Sequence, residues 1–98
     1  MNLGKKLKAI RIAEGLTQDE MAQSIDVPVV SWRSYELGKR SVNEKNLIKI
    51  TKHERFKKYA FWLMTDEVLP ESGQIAPDFS ILLDCGVIDA DGNAAKSA

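Results

Sequence analysis

Cysteine and histidine are nearly absent. Cys85 and His53 are single examples, so no disulfide can close within the chain and no Cys/His zinc set can be assembled. A lone thiol fits a reducing compartment, and a cytoplasmic protein is expected. Long apolar runs are missing too. The longest, Tyr59–Met64, has six residues, against the roughly 20 that a membrane span needs. The lysines near the start are followed by no apolar stretch of the secretory kind. There is no Gly-rich phosphate loop and no Ser/His/Asp set in a plausible setting. The acidic neighbours Asp19–Glu20 and Asp66–Glu67 lie on helical or helix-end segments and diverge. We therefore expect no enzyme, no cofactor and no metal. At 98 residues there is room for one domain with a short appendage, and none for a self-cleaving peptidase domain.

Net charge is also missing, but only on average. Residues 1–58 hold 13 of the 14 basic residues and 7 of the 14 acidic ones, a formal +6. Residues 59–98 hold Lys96 against the other 7 acidic residues, a formal −6. Such a split points to a basic half that meets a polyanion and an acidic half that does not, or else to a charged surface without a partner. With 44% hydrophobic residues the chain can bury a core, which excludes wholesale disorder.

The first half reads as helices. Leu3, Leu7 and Ile10 recur at helical spacing, with Lys5, Lys6 and Lys8 assigned to a solvated face, and Gly15 stops the helix. Thr17 with Glu20 makes a capping box for a second helix whose inner face is Met21, Ala22 and Ile25. Asp26 sits in the turn. Pro28 suits the first turn of a third helix, and Gly38 its end. Ser41 with Glu44 repeats the capping-box spacing and opens a fourth helix carrying Leu47 and Ile50. A fifth runs from about His53 to Met64. Pro70, Ser72, Gly73 and Pro77 then mark a linker. Residues 78–88 read as helix from Asp78 and Gly86, or as strand from the alternation of Phe79, Ile81 and Leu83. Asp91-Gly92-Asn93 is a turn, and Ala94–Ala98 a frayed tail.

Residues 17–38 carry the spacing of a helix-turn-helix. Ala22 stands where two crossing helices approach closely. At 100° per residue, Trp32 and Tyr35 face the core with Pro28 and Ser31, while Val29, Val30, Arg33 and Leu37 face away, with Ser34 at the edge. Two exposed valines are poor choices for solubility and helix propensity. They make sense on a face that enters a major groove and meets thymine methyls, with Arg33 reaching guanine or phosphate. The alternative is that both valines are core and the wheel is rotated.

The segment Leu16-Thr17-Gln18-Asp19-Glu20-Met21-Ala22, with Val27, Ser31, Tyr35-Glu36 and Gly38-Lys39-Arg40, resembles the Cro and lambda-repressor family. The likeness covers about residues 3–51. It implies that Gln18 braces backbone and recognition helix, that Val29, Val30, Ser34 and neighbouring Arg33 read bases, and that Lys39 and Arg40 contact phosphate. It also implies a structural pair, Arg11 with Glu36. Asp26 departs from the family's usual Gly and leaves the turn strained. Phe56–Thr65 and Pro70–Pro77 look like the short C immunity repressors of peduovirus-type temperate phages. That resemblance implies a homodimer on double-stranded operator DNA in the bacterial cytoplasm, repressing lytic promoters to maintain lysogeny. An antirepressor protein is a candidate partner.

The expected fold is mainly α: a five-helix lambda-repressor-like domain over residues 1–66. Residues 67–98 form a linker, a short helical or small β segment that aids dimerisation, and the tail. Phe56, Tyr59, Ala60 and Leu63 make one apolar face of the fifth helix, and Phe61, Trp62 and Met64 add others. Such a helix needs cover on several sides, from a partner subunit or from the chain's own 75–88 segment. Phe61, Trp62, Met64, Ile81 and Leu82 are accordingly the candidate dimer interface. Lys57 and Lys58 read as solvated, His53 as a surface or helix-start residue, and Cys85 as apolar filler. The alternatives are a Cro-like lytic regulator, an autoregulating antitoxin, or a protein-interaction module using the 56–64 helix.

Overall fold

The computed structural model describes residues 3–94; residues 95–98 of the expected frayed tail lie outside them. Four helices follow in order: α1 (Leu3–Ala13), α2 (Gln18–Ser24), α3 (Val29–Leu37) and α4 (Glu44–Lys52). A 3-10 turn over Lys57–Tyr59 leads into α5 (Ala60–Thr65). A second 3-10 turn over Pro70–Ser72 precedes α6 (Phe79–Asp84). Isolated bridges, Leu69 with Gln74 and Ile88 with Ala94, are the strand-like pairings among the described residues. The fold is mainly α, with residues 78–88 resolved as helix and turn.

Local chemistry explains most of the boundaries. The Thr17 hydroxyl accepts from the Glu20 backbone N–H at 3.1 Å, and the Glu20 carboxylate accepts from the Thr17 N–H at 2.9 Å. This completes the capping box of α2. Gly38 ends α3 at φ 74, a left-handed conformation that glycine adopts without a Cβ clash. The cap of α4 is Asn43, whose side chain accepts from the Asn46 N–H at 2.8 Å. Ser41, the expected cap, lies two residues too early; an Asx side chain one residue before the helix reaches the orphan N–H directly. The expected fifth helix is broken. α4 runs to Lys52, and His53 caps it in extended conformation, its ring stacked on Phe56 with centroids 4.5 Å apart.

Helix α1 is the central post, packing against α3, α5 and α6. Its approach to α3 is close enough that a Cβ on Gly4 would overlap the Tyr35 carbonyl oxygen. Leu7, Ala9 and Ile10 are fully buried and meet Met21, Trp32, Ile50, Phe56 and Leu63 in one core. Each large side chain there contributes roughly 1.5–3 kcal/mol relative to exposure. The apolar 56–64 stretch is used mainly inside the chain, since Phe56, Tyr59, Trp62 and Leu63 are all buried. Helix α6 folds back on α1 and adds Leu82 and Cys85 to the same core. The linker is anchored as well: Gln74 accepts from the Phe61 N–H at 2.9 Å and donates to the Lys57 carbonyl at 3.0 Å.

Two charged residues, one in α1 and one just beyond its end, do work that their spacing conceals. Lys6 is not solvated but 2% exposed. Its ammonium donates to the Trp62 and Leu63 carbonyls at 2.8 and 2.9 Å, pairs with Asp66, and lies 4.6 Å from the Trp62 ring centroid. It supplies a donor to the Leu63 carbonyl in the last turn of α5 and a second one to the Trp62 carbonyl, which also accepts from the Asp66 N–H at 2.8 Å. At the other end of α1, Glu14 accepts from Arg55 at 2.8 Å and from the Tyr59 hydroxyl at 2.7 Å, and pairs with Lys58 at 3.0 Å. Burial by itself raises the Glu14 pKa, but the bonds from Arg55, Tyr59 and Lys58 outweigh it and hold the carboxyl at about 2, against an ordinary 4.5. Burial and the same carboxylate push the Tyr59 hydroxyl upward.

Two outcomes are expected. Lys6→Met keeps the aliphatic packing but removes the ammonium donor from the Leu63 and Trp62 carbonyls, the latter keeping the Asp66 N–H, and should lower stability by about 1–3 kcal/mol with an unchanged denaturant slope. Urea unfolding at neutral pH measures it; a midpoint equal to wild type would mean that water replaces the ammonium. Glu14 has a folded pKa below its unfolded one, so its contribution is complete above pH 4.5 and lost as pH falls toward 2. The urea midpoint of Glu14→Gln should therefore fall less steeply than wild type across that window. Parallel curves would rule out this carboxylate as an acid-sensitive brace.

Candidate nucleic-acid interface

The turn between α2 and α3 begins at Ile25, the C-terminal cap of α2. Asp26 follows with φ 55, the left-handed geometry that glycine would adopt more readily. The Asp26 carbonyl accepts from Lys49 of α4 at 3.1 Å, and the Val27 N–H donates to the Ala22 carbonyl at 3.0 Å. Ile25 and Val27 are buried beneath the turn, and Ala22 at the crossing is 2% exposed. The turn thus fixes how α3 leaves α2.

Helix α3 buries Trp32 and Tyr35 and turns the opposite face outward. Val30, Arg33, Ser34 and Leu37 stand at i, i+3, i+4 and i+7, one strip of the helix. Val30 is 66% and Leu37 69% exposed, Arg33 is exposed and Ser34 half-buried. Val29 departs from the expected outward placement. It is half-buried and packs against the core. It precedes Trp32 by three residues, about 60° away around the helix, so it occupies the flank between the two faces.

A polar chain connects this strip to the interior. The Glu36 side chain is 4% exposed and accepts from Arg11 through Nε at 2.7 Å and Nη2 at 3.2 Å. Trp32 Nε1 also donates to Glu36, and Gln18 Nε2 donates to it at 3.1 Å. Arg11 spends a further N–H on the Leu16 carbonyl at 2.9 Å. Gln18 Oε1 in turn accepts from Arg33 Nε at 3.3 Å, and Arg33 Nη2 lies 3.8 Å from the Asp19 carboxylate. Lys39 and Arg40 follow the left-handed Gly38 on an exposed loop, with Arg40 donating to the Ser31 hydroxyl at 3.1 Å.

A sequence-family model described as helix-turn-helix matches residues 7–53, the span from α1 to the end of α4. The chain is also 32% identical over 75 residues to Repressor protein C of Escherichia phage P2, covering 76% of each protein. The chain belongs to the helix-turn-helix family of the Cro/C1 type. In this helix-turn-helix protein α2 and α3 are the two helices joined by the turn, and α3 carries the outward strip described above.

Outside the helix-turn-helix the sequence-derived sites scatter. Trp62 and Leu82, candidates for the dimer interface, belong to the chain's own core, where α5 and α6 pack against α1. Phe61 and Ile81 are half-buried, and Met64 is 47% exposed. Asp19 beside Arg33 and the buried Lys6 carried no recognisable pattern. Among the described residues no group of metal-ligating side chains converges, and no helix is long and apolar enough to cross a membrane.

Arg11→Met should cost about 3 kcal/mol, the lower end for breaking a buried pair, because Gln18 and Trp32 still donate to Glu36. The double variant Arg11→Met/Glu36→Gln should lose less than the sum of the two single losses, by about 1 kcal/mol or more. Strict additivity in urea unfolding would show that the two side chains are energetically independent.

Proposed function

We propose that this protein is a non-catalytic, sequence-specific transcriptional repressor of a temperate phage or prophage. It binds double-stranded operator DNA as a homodimer, shuts off lytic promoters and so maintains lysogeny. The observation that carries the reading is the outward strip of α3, where Val30 and Leu37 are two-thirds exposed and flank Arg33. Packing within the chain gives those apolar side chains little reason to be there. A major groove supplies one, because Val30 can meet a thymine methyl while Arg33 forks onto guanine O6 and N7. Ser34 adds a hydroxyl, half-buried Val29 touches the groove wall from the flank, and Gln18 holds Arg33 in place. Lys39 and Arg40 neutralise phosphates, which adds affinity without sequence information. Likeness to a protein named as a phage repressor supports the same reading.

The homodimer rests on the acidic half. Met64, Val68, Leu69, Ile75, Phe79 and Leu83 are all more than a third exposed. Phe79 and Leu83 lie one turn apart on α6, away from the buried Leu82 and Cys85. A second copy of residues 67–94 would cover this apolar surface without bringing its acidic residues to DNA.

Selection from random-sequence duplex DNA with the intact protein tests both parts together. It should return a motif present twice, with half-site centres about one helical turn or a multiple apart. A motif present once would refute the dimer, and no motif at all the specific repressor. On the selected duplex, Val30→Ala should weaken binding by about 1 kcal/mol, the low end for one altered base pair. Stability and the salt slope on unrelated DNA should stay unchanged, since an exposed valine fills no cavity and touches no phosphate. Uracil in place of thymine at one position should reproduce the loss.

A further inference from the structure

We propose that Ser31 is a positioning residue: its hydroxyl holds the Arg40 guanidinium on the flank of α3 away from Arg33, where it meets a phosphate of the groove wall. This rests on the reading above, in which α3 enters a major groove and Arg40 contacts phosphate. α3 has one basic side chain of its own, Arg33. Ser31 lies two residues before it, about 160° away around the axis, and Ser34 falls between Ser31 and the outward Val30. That flank of α3 therefore carries hydroxyls and no charge. The loop supplies the charge. Beyond Gly38 the chain turns back over α3: the Lys39 and Arg40 N–H groups both donate to the Ser34 carbonyl, at 3.0 and 3.4 Å. From there Arg40 Nη1 reaches the Ser31 hydroxyl at 3.1 Å, nine residues back along the chain.

The kind of acceptor matters. The chain has four arginines. Arg11 is paired with Glu36 and Arg55 with Glu14, and Arg33 lies near Asp19. Among the described residues Arg40 is the one held without a carboxylate, so it is placed without being neutralised. A guanidinium has five N–H donors, and Arg40 spends one on Ser31. A phosphate oxygen can take others while the bond to Ser31 stays in place, so nothing has to be given up on binding. In the free protein this exposed bond adds little, because its gain is offset by the entropy lost in ordering a long side chain. In the complex the phosphate and the hydroxyl order the same side chain, and that entropy is lost only once. Each contact is then stronger in the presence of the other, so Ser31 strengthens binding without touching DNA.

The test measures binding to the tightest duplex selected from random DNA by the wild-type protein, as a function of salt. Arg40→Ala should weaken it and flatten the plot of log affinity against log salt by about 0.9, the slope of one phosphate contact. Ser31→Ala should weaken it about two- to fivefold, the gain from ordering one long side chain in advance. The salt slope of Ser31→Ala should match wild type, because the phosphate contact itself remains. In an Arg40→Ala background, Ser31→Ala should have no effect, whereas a general effect of the substitution on α3 would appear in both backgrounds. Wild-type affinity for Ser31→Ala, or a loss of the same size with and without Arg40, overturns the proposal. A wild-type salt slope for Arg40→Ala overturns it too, since no phosphate contact is then lost. Each of these results leaves the specific-repressor reading intact; that reading fails instead if selection returns no motif.

Discussion

The carboxylate of Glu36 is the point on which the rest of the helix-turn-helix depends. It is nearly sealed from solvent, and a buried carboxylate is tolerated only when it is neutralised and its lone pairs are filled. Four donor contacts do this: two from Arg11 of α1, one from Gln18 at the start of α2 and one from Trp32 of α3 itself. Three helices are thereby referred to one pair of oxygens. The indole N–H of Trp32, buried in the core, finds its acceptor there too. The angle at which α3 presents its outer strip is therefore set by an electrostatic junction on its inner flank as much as by the turn at Asp26.

The same economy governs the second half of the chain. A domain this small cannot hold short helices by apolar contact alone. α5 and α6 are six residues each, too short to be stable without tertiary support. α1 supplies that support with one charged anchor near each end. Lys6 fills the carbonyls that close α5, and Glu14 gathers Arg55, Lys58 and Tyr59 from the segment that leads into it. Between the two anchors Leu7, Ala9 and Ile10 supply the apolar contact. α1 is thus shared by the reading half and the acidic half, and a change in its tilt reaches both.

What could be seen in the sequence was whatever is encoded locally. The capping box at Thr17 and Glu20, the left-handed stop at Gly38 and the helix-turn-helix spacing are short-range patterns, and the structure contains each of them. The misreadings come from partners distant in sequence or from small angular differences. Lys6 looks solvated because its acceptors lie 56 and 57 residues away. Trp62 and Leu82 look like dimer-interface residues because the helix that they pack toward is the first in the chain. Val29 differs from Val30 by one step of 100°, which separates flank from outer face. The boundary between Ser41 and Asn43 turned on which side chain reaches an N–H, and both are good caps. For residues 78–88, period alone was evenly divided, and contact with α1 decided for helix.

A protein of zero net charge that reads DNA faces a constraint that a strongly basic one avoids. Its basic half, formally +6, attracts a polyanion locally while the acidic half, formally −6, offsets that attraction at long range, so contacts made in register carry a larger share of its affinity. The arrangement on α3 fits that constraint. The strip offers one cation, already paired, between two apolar side chains and a hydroxyl. The two apolar side chains gain nothing from a phosphate backbone, while a matching base edge can offer them a methyl contact. The exposed cations Lys39 and Arg40 stand on the loop beyond Gly38, where they can fix register without adding charge to the reading strip. Two such weak readers, joined through the acidic half, would bind through the product of two local matches rather than through bulk charge. Overall neutrality is then the condition under which shape and methyl contacts can dominate the choice of site, and the buried Arg11–Glu36 pair can be read as its counterpart in the interior: charge used for position and kept away from attraction.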